Sequence, residues 1–201
     1  LLSLPTDGII KPHGKCELIN QVVSNIDISS KKHLPCLKIN NKVISDVVQI
    51  SEGVYTPLNG FMSIEEIESV LVNNKLLTGE DWTLPVILQV TKNEIETIPS
   101  KGQVILLDDR SQSPVGILEI QSIEKFTPES FLKRWFGTEN KNHPGVKELI
   151  GNGNYIISGK TYLSDTYRQS TKTIFEYSPK QTREIMYHNG WYNLVGFHTR
   201  N

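Results

Sequence analysis

The chain's last residues, Leu194-Val195-Gly196-Phe197-His198-Thr199-Arg200-Asn201, pass from an apolar run straight into polar groups, one of them an arginine. In an open α/β sheet, residues just past the carboxyl end of a strand lie in the ligand crevice. The tail therefore reads as one edge of an active site whose remainder lies beyond residue 201. Taken alone, a terminal arginine is more often a solvated end and His198 an ordinary loop histidine, so residue types by themselves leave both readings open. The other histidines offer no paired metal-ligand spacing on a common helix face. His13 reads as a turn or packing residue, His143 as ordering a loop before Pro144, and His33 and His188 as surface residues. Lys31-Lys32 is a solvated turn.

Certain elements must position that tail. Ser178-Pro179-Lys180-Gln181 is a helix cap with proline inside it, Ile185 and Met186 supply apolar contacts, and Gly190 stops the helix. Trp191 to Phe197 then reads as a buried strand. A helix followed by a buried strand is how a parallel α/β domain begins. The polar stretch Ser164 to Thr173 reads as a linker, with a boundary near residue 168. Residues 1–168 would form one domain and 169–201 the start of another.

Upstream, from residue 37 to about 163, short apolar runs alternate with turn signals: Leu37 to Ile39, Val43 to Ile50, Leu84 to Val90, Val104 to Leu107, Val115 to Ile120 and Tyr155 to Ile157. The breakers are Asn40-Asn41, Lys101-Gly102, Asp108 to Pro114 and Gly151-Asn152-Gly153. Such spacing predicts a barrel-like β domain. Helices interrupt it. Ser63-Ile64-Glu65-Glu66 reads as a capping box ahead of an apolar face of Ile64, Ile67, Val70 and Leu71. Thr127-Pro128 opens a helix whose face is Phe131, Leu132, Trp135 and Phe136, ended by Gly137, and a shorter helix follows His143-Pro144.

The bulk numbers limit the function classes. A chain of 201 residues, 37% hydrophobic and 21% charged, fits a globular domain or one domain plus part of another. A formal net charge of −1 argues against a broad nucleic-acid surface. Cys16 and Cys36 form no CxxC pattern, so neither a disulfide framework nor a zinc cluster is implied, and a reducing, cytoplasmic setting is the expectation. No apolar stretch approaches the ~20 residues that span a bilayer.

Gly53-Val54-Tyr55-Thr56-Pro57-Leu58-Asn59-Gly60-Phe61-Met62 reads first as a β-turn bracketed by glycines, with aromatics on both sides. It also closely resembles the G-x-Y-[ST]-P-L-x-G-F-M signature of the ATP sulfurylases (sulfate adenylyltransferases). Further matches follow in that family's order. Pro12-His13-Gly14 resembles its Pro-His-Gly-Gly element, with Lys15 in place of the second glycine. Trp82-Thr83-Leu84-Pro85-Val86 resembles its Trp-x-x-Pro-[IV] strand entry. Phe136-Gly137-Thr138 and His143-Pro144-Gly145-Val146 resemble its Phe-Gly-Thr…His-Pro-Gly-Val stretch.

The resemblance implies a mixed α and β chain: a PUA-like β-barrel domain with inserted helices over 1–168, then the first helix and strand of an α/β nucleotidyltransferase domain over 169–201. It also implies a role for the tail. Phe197-His198-Thr199-Arg200-Asn201 resembles the family's catalytic Phe-Gln-Thr-Arg-Asn motif, with His198 standing where glutamine is usual. By that resemblance Thr199, Arg200 and Asn201 are catalytic, and together with His198 they bind sulfate and ATP. The implied reaction joins ATP and sulfate into adenylyl sulfate and diphosphate, or runs in reverse, with Mg2+ accompanying ATP. The family places an HxxH pair just after Thr-Arg-Asn, beyond this chain, so residues 1–201 alone are expected to be inactive. A homo-oligomer is expected, with no nucleic acid, no membrane and no protein-held metal. Two other readings stay open: a PUA-like binding module, RNA included, and a non-catalytic relative.

Overall fold

A computed structural model describes residues 10–23 and 33–196. Its framework is a single mixed sheet in the order β1-β7-β6-β5-β2, with β3 and β4 also paired to β7. The strands are β1 (Val22–Val23), β2 (Cys36–Ile39), β3 (Gly60–Phe61), β4 (Leu88–Val90), β5 (Gly102–Asp108), β6 (Pro114–Lys125) and β7 (Tyr155–Ser164). The long strands come from the β-branched and leucine-rich runs, as expected from their fit to a pleated, half-buried surface. Pro114 opens β6, where a missing N–H breaks no ladder bond.

β7 organises the sheet. Along one edge it pairs antiparallel with β6 from Tyr155 to Leu163. Along the other it takes three short partners in turn: β4 at Tyr155 to Ile157, β3 at Gly159 and Lys160, and β1, in parallel, at Leu163 and Ser164. β2 joins the far side in parallel with β5. Buried Gln21 fastens the β1 end, because its side-chain amide donates to the carbonyl oxygens of Asn59 and Thr161. Ser51 and Thr161, both fully buried, share a hydroxyl–hydroxyl bond of 3.2 Å beside it. Satisfied polar groups of this kind hold a segment without the penalty of an unpaired buried donor.

The helices are α1 (Asn41–Ser51), α2 (Ile64–Asn73), α3 (Lys92–Ile95), α4 (Leu132–Phe136), α5 (Pro144–Gly151), α6 (Asp165–Thr171) and α7 (Pro179–His188). Helix α1 overturns one expectation, since Val43 to Ile50 is helical rather than a strand. Asn40 does not break the chain; its side chain accepts from the Lys42 and Val43 amides and so starts the helix. Once it is started, Ile44, Val47 and Ile50 share one buried face.

Two further expectations change in detail. At α2, Ser63 Oγ accepts from the Glu66 amide at 3.2 Å, but Glu66 turns away to accept from the Leu77 amide, leaving half a capping box. The polar stretch expected to be a linker is helix α6, capped by Ser164 and anchored by buried Tyr167. The expected helix after Thr127-Pro128 forms as a 3-10 turn, Pro128–Ser130, followed by α4, and Gly137 ends it.

Candidate functional site

His198, Thr199, Arg200 and Asn201 lie outside the described residues, as does Phe197. The approach to them is described. Helix α7 begins with a full capping box, in which Ser178 Oγ accepts from the Gln181 amide and the Gln181 side chain accepts from the Ser178 amide. Arg183 on α7 donates through Nη1 to the carbonyl oxygen of Ile10 at 2.7 Å, tying the helix to the amino-terminal segment. Residues 191–196, expected as buried strand, are exposed and carry no regular secondary structure. A strand exists only through its ladder partners, and among the described residues none lies beside this stretch.

The motifs noted in the sequence converge in space. His13 Nε2–H donates to the carbonyl oxygen of Asp81 at 2.8 Å, and its ring lies 6.4 Å from that of Trp82. Trp82 in turn meets Tyr55 edge-on, with ring centroids 5.9 Å apart. The turn that carries Tyr55 is built around its glycines. Gly53 has φ +85, and a Cβ there would fall on the carbonyl oxygen of Ile19. A Cβ on Gly60 would fall on the carbonyl oxygen of Gly159, where β3 pairs with β7. Thr56 completes the turn: its hydroxyl donates to Gly53 at 2.7 Å and accepts from the Ile19 amide at 3.2 Å. These contacts make the signature segment a scaffold that locks residues 19–21 to the sheet. His143, one residue before α5, stacks obliquely on Phe136, with centroids 5.4 Å apart.

Tyr55 and Phe136 also line a cleft of about 520 Å³ bounded by α1, the strand entry at residues 84–91, α4 and α5. Lys42 of α1 and Glu148 of α5 form an ion pair of 2.6 Å between two exposed side chains at its wall. Asp46, one helical turn after Lys42, also lines the cleft, and burial pushes its carboxyl up to about 6 against the opposing pull of Lys42. Tyr55 is held above the usual phenol range, first by burial and then by the charge of Asp46. The cleft carries both signs of charge, lined by Lys38, Lys42, Asp46, Glu94 and Glu148 among apolar residues. Asp46 lies inside a run that reads as a strand, and only on a helix does the Lys42–Asp46 spacing bring the two side chains to one face.

Among the described residues, no His, Cys, Asp or Glu side chains group into a metal site. No helix there is long and apolar enough to cross a membrane.

Residues 10–166 match the family model of the PUA-like domain. The chain belongs to the PUA-like domain family. The PUA-like domain and the residues after it are also similar to sulfate adenylyltransferases. Identity is 29% over 98% of this chain and 50% of the relative from Cenarchaeum symbiosum, and 31% over 100% and 52% for Microcystis aeruginosa. For Pyrococcus abyssi it is 32% over 96% and 50%. The chain thus spans about half the length of these relatives. Among solved structures, a hexameric APS kinase from Thiobacillus denitrificans shares the fold, with a TM-score of 0.64, 18% identity, and coverage of 91% of this chain and 32% of that one. The resemblance first seen in short motifs therefore runs the length of the chain.

Proposed function

We propose that this chain is the amino-terminal part of a sulfate adenylyltransferase, in which residues 1–168 form the PUA-like domain and 169–201 begin the catalytic domain. One observation carries the reading: 96–100% of the chain aligns with sulfate adenylyltransferases at 29–32% identity. Phe197-His198-Thr199-Arg200-Asn201 supports it through its likeness to the family's catalytic motif.

Sulfate is a dianion and a poor nucleophile, and it must approach an α-phosphorus already ringed by negative oxygens. No covalent enzyme intermediate is needed; one sulfate oxygen bonds to phosphorus as the bond to the diphosphate oxygen breaks. The protein's task is to position two anions and neutralise charge. Arg200 serves this with a planar fork that bonds two oxygens and stays protonated. Thr199 and Asn201 add neutral donors, and His198 supplies a donor where the family has an amide. Magnesium brought in with ATP would offset charge on the diphosphate, leaving Arg200, Thr199, Asn201 and His198 to position the two anions. The partners are ATP, sulfate, adenylyl sulfate and diphosphate, the assembly is a homo-oligomer, and the setting is cytoplasmic.

The test is sulfate-dependent release of diphosphate from ATP by the full-length protein. Arg200→Ala should lower kcat by about 10²–10³ while leaving the fold intact. Retained turnover would remove Arg200 from the site. Absence of the activity in the wild-type protein, with RNA retained at physiological salt, would favour a binding module instead.

A further inference from the structure

Helix α6 is fastened to the sheet domain at two neighbouring residues. Tyr167, buried, donates its hydroxyl to Asp108 Oδ2 at 3.3 Å at the end of β5. Arg168 turns to the end of α1, where Nε meets Glu52 Oε1 at 2.7 Å and Nη2 meets Glu52 Oε2 at 3.1 Å. Both side chains of this pair are largely buried, 13% exposed for Arg168 and 9% for Glu52. The same Nη2 also holds Glu176 at 2.8 Å, and Thr173 Oγ1 donates to the other Glu176 oxygen at 3.2 Å.

Little else holds the chain after α6. Ile174 and Phe175 are 85% and 84% exposed, and α7 buries no side chain. Lys172 Nζ donates to Gln181 Oε1 at 2.7 Å, and Arg183 reaches Ile10, so the ties of this segment are polar. Hydrophobic packing here is thin, with Met186 and Tyr187 only half-buried. The fork of Arg168 grips a buried carboxylate on one domain and a carboxylate on the segment leaving it, which a point charge could not do in one plane.

We propose that Arg168 is a positioning residue, clamping Glu176 to Glu52 so that residues 172–188, which lead into the catalytic domain, keep a fixed orientation to the PUA-like domain. Its effect on turnover rests on the sulfate adenylyltransferase reading. Its effect on the segment does not.

The experiment uses the full-length protein and two variants, Glu176→Gln and Arg168→Lys. Glu176→Gln removes only the outer arm and leaves the buried Glu52–Arg168 pair, so its Tm should match the wild type. The expected result is faster trypsin cleavage after Lys172, with kcat lowered about tenfold and the KM values for ATP and sulfate within about twofold of wild type, as expected when catalytic groups are misplaced rather than removed. Arg168→Lys, which keeps the charge and loses the fork, should reproduce both changes. Wild-type trypsin resistance, or wild-type kcat in an active preparation, in Glu176→Gln would overturn the clamp. If the wild-type protein releases no diphosphate, the functional reading fails, and trypsin cleavage alone still decides the clamp.

Discussion

Asp46 and Tyr55 line the same cleft, and the charge of the aspartate makes the tyrosine harder to ionise, adding to the larger effect of burial. The aspartate is itself the more perturbed of the two, with its carboxyl raised from 3.8 to about 6. The folded protein therefore holds this proton more tightly than the unfolded chain does. Asp46 contributes stability that is full below its unfolded value and is lost as pH rises through the folded one. Allowing for solvent at a half-buried group, the loss is about 1–2 kcal/mol. Asp46→Asn should therefore gain about that much over wild type in urea unfolding at pH 8 and almost nothing at pH 3. An equal difference at both pH values would contradict the assignment.

Glu52 and Arg168 give a second prediction. Arg168→Met strands the largely buried Glu52 carboxylate and should cost about 3–5 kcal/mol, whereas Glu52→Leu leaves Arg168 paired with Glu176 and should cost less. The double variant should cost clearly less than the sum, since neither charge is then left unpaired. Additive losses in denaturant titrations would mean that the pair is not coupled.

The two signature glycines are tested by adding a methyl group. Gly53→Ala meets both a left-handed φ and the Ile19 carbonyl, and Gly60→Ala meets the Gly159 carbonyl. Each should lower stability by about 1–3 kcal/mol or more. Gly151, whose Cβ would meet nothing within 4 Å, provides the contrast: its alanine variant should stay within about 1 kcal/mol of wild type. Unfolding midpoints of the three variants measure this directly.

His198 is the irregular member of the proposed catalytic motif, and its effect should appear as pH dependence. A protonated imidazole is a cation and favours a dianion, whereas a glutamine amide stays neutral. The KM for sulfate should fall towards acid pH in the wild type and stay flat in His198→Gln. Parallel profiles would separate His198 from the sulfate contact.

Much of the sheet is legible in the sequence, because β2, β5, β6 and β7 are apolar runs ended by turn residues. In α1 the apolar residues of the run, Val43, Ile44, Val47, Val48 and Ile50, follow helical spacing rather than alternation, and Asn40, bonding forward to two amides, starts a helix where it reads as a breaker. The strand expected at 191–197 fails differently: local pattern cannot supply the neighbour that a strand requires. Glu52 and Arg168 lie 116 residues apart in polar surroundings, so nothing local announces their pairing. The tail residues were assigned through likeness to a family, and His198, Thr199, Arg200 and Asn201 still rest on that likeness.

β7 has a consequence for the order of events during synthesis. Among the described residues it is the last strand to emerge, yet β1, β3, β4 and β6 all hydrogen-bond to it. Val22 waits for Leu163. Until translation passes that point, β1, β3 and β4 have no ladder to join, and their apolar faces must be shielded while ribosomes add residues at about 5–20 per second. Closure of the whole sheet is thus timed by a single late strand, and a pause in translation just before it would prolong the interval in which the nascent chain is most prone to aggregate.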